Sequence, residues 1–64
     1  MNNWEIVAKA ITEPGLKITW KEVDCLFYVY YKDGDWWDQK DELYNEYYVT
    51  QTLVTGKYTW EIYQ

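Results

Sequence analysis

A single cysteine, Cys25, and no histidine leave this chain without a disulfide or a zinc site to cross-link it. For 64 residues that is a severe constraint. A domain of this size buries only about 60% of the surface its unfolded chain exposes, so an unstapled core leaves little net stability. The material available to compensate is aromatic: five Trp, eight Tyr and one Phe. Each buried ring removes about 150–250 Å² from water, worth about 4–6 kcal/mol at roughly 25 cal/mol per Å². The expectation is one domain over residues 1–64 with a core built on rings, either self-sufficient or completed by self-association.

Missing residue types exclude most catalysis. With no His, Ser or Arg, the chain can build neither a nucleophile-histidine arrangement nor an arginine clamp on phosphate. Carboxylates are plentiful, but a cleft deep enough to desolvate one and raise its pKa is hard to fit in so short a chain. The protein is read as a non-enzyme without a cofactor. Asp33-Gly34-Asp35 opens like a calcium loop, yet Trp37, Asp38 and Tyr44 stand where that motif needs an Asp or Asn, a Gly and a Glu. No metal site is assigned. Met1-Asn2-Asn3-Trp4-Glu5 lacks the basic start of a secretory leader, and the longest apolar run, residues 25–31, is far short of the roughly 20 residues that span a bilayer. A cytoplasmic protein that does not enter a membrane is expected.

Two-residue alternation and closely spaced turn signals predict an all-β fold, or a mostly β fold with one short helix. Its form would be a small antiparallel, five- to six-stranded curved sheet or barrel. In residues 16–21, Leu16, Ile18 and Trp20 alternate with Lys17, Thr19 and Lys21. Glu13-Pro14-Gly15 before them carries type II turn chemistry, Pro first and Gly second. This turn would join residues 16–21 in a hairpin to residues 4–11, read as a strand in preference to a helix with a Glu5–Lys9 pair. Residues 25–31 are apolar on both faces, as in a central strand. Asp33-Gly34 is a strong hairpin signal, and Trp36-Trp37 starts the return strand. One or two helical turns are expected between Asp38 and Glu46, then strands over 47–54 and 58–63 separated by a turn at Gly56.

Charge is distributed more informatively than its total of −5 suggests. Residues 33–46 hold Asp33, Asp35, Asp38, Asp41, Glu42 and Glu46 against Lys40 alone, a net −5; the remainder of the chain, with five acids and five lysines, is neutral. The same window carries Trp36, Trp37 and Tyr44. One reading is a solvated acidic loop that keeps an aromatic-rich protein dispersed. The other is a binding lobe in which the six acids steer a basic partner protein and Trp36, Trp37 and Tyr44 anchor it. Asp33 and Asp35, if on one strand, would project about 7 Å apart and imitate successive phosphates.

Direct nucleic-acid binding is disfavoured: a chain with pI near 4.4 and no Arg would repel the phosphates it had to track, even with Tyr28 and Tyr30 or Tyr47 and Tyr48 as stacking platforms. In composition alone the chain is similar to the short acidic proteins that bacteriophages make against host enzymes, which implies an inhibitor. The functional expectation is therefore a non-catalytic, acidic, aromatic-rich protein-binding module that occupies a basic or nucleic-acid-binding site of a partner. Alternatives are a structural homo-oligomer closed by its rings and a small-ligand binder that stacks sugars on Trp or Tyr. Cys25, beginning the most apolar stretch, is expected to be buried and inert.

Overall fold

The computed structural model describes residues 2–64. It consists of α1 (Asn3–Thr12), β1 (Ile18–Trp20), β2 (Val29–Lys32), β3 (Asp35–Asp38), β4 (Leu43–Tyr44), α2 (Glu46–Thr55) and β5 (Trp60–Ile62). The five strands form one antiparallel sheet in the order β4-β3-β2-β1-β5. Its two edges, β4 and β5, do not meet, so the sheet is open: of the two forms expected, a curved sheet or a barrel, the barrel is not formed.

Residues 4–11 are helical, a correction to the strand expected there. Asn2 caps α1: its side chain accepts from the Glu5 N–H at 2.9 Å while the Glu5 carboxylate accepts from the Asn2 N–H at 3.1 Å. This reciprocal box satisfies two donors that the first turn leaves without partners. Lys9 pairs with Glu13 at 2.7 Å near the other end. Decisively, Ile6, Val7 and Ala10 all enter the core, a placement that only the helical spacing permits. The turn after α1 has the expected chemistry, with Leu16 N–H donating to Glu13 C=O at 3.0 Å and Gly15 at φ +87°, but it leads from a helix, not a strand.

The second correction concerns residues 38–54. Their helix lies not between Asp38 and Glu46 but beyond it, over the stretch expected to be a strand. Asn45 caps α2 by accepting from the Tyr47 N–H at 3.0 Å, and Gly56, at φ +66°, closes it in the left-handed conformation, donating to Thr52 C=O at 2.9 Å. Between Asp38 and Leu43 the chain makes a turn, not a helix.

Both helices cover the same face of the sheet. Ile18, Val29, Trp36 and Trp60 rise from that face to meet Ile6, Val7 and Ala10 of α1 and Val49 of α2. Trp20 lies partly buried beside them, stacked on Tyr58 at 4.5 Å and tilted against Phe27 and Trp60. Thr52 is the buried polar residue of this core, and it is fully engaged: its hydroxyl donates to Val49 C=O at 2.6 Å and accepts the Trp60 Nε1–H at 2.8 Å. Rings thus replace the missing staple, with Trp36 and Trp60 at the centre.

The strand predicted over 25–31 is shorter and later than expected. β2 begins at Val29 and is the middle strand of the five, whereas Leu26 is 64% exposed and Cys25 is exposed, not buried. Asp33 (φ 54°) and Gly34 (φ 82°) form the β2–β3 turn in the doubly left-handed conformation that tight hairpins require, closing the Lys32–Asp35 pair. Among the described residues, no helix is long and apolar enough to cross a membrane.

Candidate functional site

β3 and β4 together carry the acidic window to one margin of the sheet. Their short ladder pairs Trp36 with Tyr44 and Trp37 with Leu43. Where β4 passes into α2, Gly34, Asp35, Trp36, Leu43, Tyr44, Asn45 and Glu46 line an open groove of about 490 Å³. Four residues singled out from the sequence, Asp35, Trp36, Tyr44 and Glu46, therefore come together. Among the described residues the lining holds two carboxylates and no cation.

Trp36 does not serve as the exposed anchor expected of it. It is 5% exposed, packed edge-on against Tyr31 at 5.1 Å, and belongs to the core. Alternation along β3 forces this, since Trp36 and Trp37 must face opposite ways and the helix-covered face takes the first. Trp37 stands on the uncovered face, its Nε1–H held by Lys32 C=O at 2.9 Å. Tyr44 is half-buried, with Phe27 and Tyr48 beside it at 5.9 and 5.8 Å; burial, then the nearby Tyr48 and Asp38, push its phenol pKa up to about 12. The chain's most exposed apolar side chain at this margin is Leu43, 67% exposed.

The acids fall into two groups separated by the length of β3, about 10 Å at a strand's rise. Asp33, Asp35 and Glu46 lie toward the β2–β3 turn; Asp38, Asp41 and Glu42 lie at the β3–β4 turn. Asp33 occupies a left-handed turn position rather than a strand, so it and Asp35 do not form the phosphate-like pair of one strand face. Asp38 is engaged locally, accepting from the Lys40 N–H at 2.8 Å and the Glu42 N–H at 3.1 Å. Its carboxylate shapes the turn that presents its neighbours. Asp41, at φ 59°, accepts a hydrogen bond from the Tyr30 hydroxyl, and that bond, reinforced by desolvation and the carboxylate's charge, pushes the Tyr30 phenol up to about 12.

Tyr28 and Tyr30 do share the uncovered face, 6.4 Å apart, with Tyr63 at 4.8 Å from Tyr28 and the Lys17 ammonium 4.7 Å over the Tyr28 ring. Tyr47 and Tyr48 stand instead on α2, both exposed. A second concavity of about 400 Å³ lies beside β1 and β5, where Thr19, Trp20, Cys25, Phe27, Glu61 and Tyr63 are among its walls.

Three residues of the acidic groove were not read from the sequence as site residues: Gly34, Leu43 and Asn45. A signal existed for Asn45, a good N-cap followed eleven positions later by Gly56. Nothing local marks Leu43, whose exposure follows from which way β4 faces. No family model, no curated protein and no solved structure matches this chain. The site's chemistry rests on its own geometry.

Proposed function

We propose that this chain is a non-catalytic protein-binding module that takes a basic segment of a partner protein against its β3–β4 margin. The observation that carries the reading is the groove at β4: Asp35 and Glu46 flank exposed Leu43 and half-buried Tyr44, and no lysine lines it. An acidic groove with an apolar floor attracts a cation at long range and rewards the desolvated contact that follows. Asp33, Asp41 and Glu42 extend the field at either end, while Trp37 and Leu43 supply contact surface. Occupying a basic face of the partner blocks whatever that face serves, which is how such a module would inhibit.

The test compares the protein with its Asp35→Asn, Asp41→Asn, Glu42→Gln, Glu46→Gln variant, each immobilised and exposed to lysate at low and high salt. A protein of basic surface held by the native chain, shed by salt and not retained by the variant is the expected result. Retention of the same proteins by both chains, or of none by either, overturns the reading.

A further inference from the structure

The two edges of the sheet are treated differently. At β5, Asn3 covers part of the outward backbone, accepting from the Trp60 N–H and donating to the Tyr58 C=O, each at 2.8 Å. That stretch of the edge is closed to another strand, while alternation leaves the N–H and C=O of Ile62 outward beyond it. At β4 no side chain of the described residues plays the part of Asn3. Asp38 N–H donates to Glu42 C=O at 2.9 Å, so residues 38 and 42 form a hydrogen-bonded pair, and alternation of the ladder turns the N–H and C=O of Leu43 outward. Among the described residues no side-chain or turn hydrogen bond reaches them.

We infer that the β4 edge receives an extended basic segment of the partner as a sixth, edge-added strand, centred on Leu43. The inference rests on the protein-binding reading above and specifies its chemistry. A residue opposite Leu43 exchanges both backbone hydrogen bonds with it and sets its side chain on the uncovered face, beside Leu43 and Trp37. Residues two positions to either side lie on that same face, about 7 Å away. One meets Asp41, whose carboxylate is placed on that face by the Tyr30 hydroxyl. The other meets the Asn45 end, where Asp35, paired with Lys32 on the same face, stands one strand behind. The segment that fits reads basic, any, apolar, any, basic. A second copy of this chain is the weaker fit, because two-fold antiparallel pairing about Leu43 sets Asp41 of one copy opposite Asn45 of the other and so brings no cation to it.

The experiment is an amide NMR titration of the native chain with a capped peptide centred on Lys-Thr-Val-Thr-Lys, alongside its Glu-Thr-Val-Thr-Glu counterpart and a version N-methylated at Val. Strand addition moves the Leu43 amide, slows its hydrogen exchange, leaves Thr59 and Trp60 unchanged, and weakens at least about tenfold when the Val donor is methylated. Equal binding of the methylated peptide, with the acidic one rejected, overturns strand addition while leaving the acidic docking surface intact. No response at Leu43 also overturns it, as does a Leu43 shift that follows protein concentration without peptide, the mark of self-pairing. Failure of the protein-binding reading itself shows separately, as an immobilised native chain that retains nothing.

Discussion

The side-chain amide of Asn3 clamps the backbone around Trp60, 57 positions away, accepting its N–H and donating to the C=O of Tyr58. A residue of the first helical turn thereby acts as the strand that would otherwise lie outside β5. It also ties α1 to the strand that places Trp60 in the core.

Asn3→Ala removes both bonds and leaves a partly buried N–H and C=O without partners, which costs about 1–3 kcal/mol. Asn3→Asp keeps the acceptor and loses the donor, so its cost falls between. Urea denaturation measures both, and an unchanged midpoint for Asn3→Ala refutes the clamp.

Adjacent tryptophans of β3 differ sharply in their contribution. Trp36→Ala empties the core and costs about 3–5 kcal/mol, comparable to the whole stability of a chain this short. Far-ultraviolet circular dichroism at room temperature should show it largely unfolded. Trp37→Ala, on the uncovered face, loses one hydrogen bond and partial burial, about 1 kcal/mol, and should still melt cooperatively. Equal losses in the two variants would falsify the assignment of faces.

Stability falls at both ends of the pH scale through identifiable groups. The Tyr30 pKa of about 12 in the fold lies above the ordinary 10, so the folded state holds that proton more tightly. Its contribution is complete below pH 10 and disappears as the pH climbs through 12. Tyr44 behaves alike, through burial. Glu22 works in the opposite direction: the Thr59 N–H donating to its carboxylate lowers its pKa below 4.5, and its contribution is lost as the pH falls below that value. Phenolate absorbance followed through alkaline titration should show a late phase that shifts to lower pH in Asp41→Asn. A late phase unmoved by that change means the Tyr30–Asp41 bond is not its cause.

Gly34 answers a backbone demand alone. At φ 82° an added Cβ meets nothing within 4 Å, so Gly34→Ala incurs strain without a clash, about 1 kcal/mol. A thermal melt should register a modest fall with the β2–β3 pairing preserved. Wholesale loss of structure would mean the turn does more than reverse the chain.

By itself the sequence determined the tight turns and three of the strands. Glu13-Pro14-Gly15 and Asp33-Gly34 turn as their φ requirements dictate; β1 and β5 alternate as read; Trp36-Trp37 starts the return strand; and the acidic window lies at one margin with its excess charge intact. Residues 4–11 fit both periods, and the choice between them belongs to whatever they pack against. Only the tertiary structure settled it, by giving Ile6, Val7 and Ala10 a sheet face to cover. It likewise made α2 from β-branched and aromatic residues whose own preference is extended, because Val49 and Thr52 reach the core and the Trp60 indole at helical spacing. It buried Trp36 and left Leu43 exposed, since a strand's alternation fixes which neighbours share a face but not which face the helices will cover.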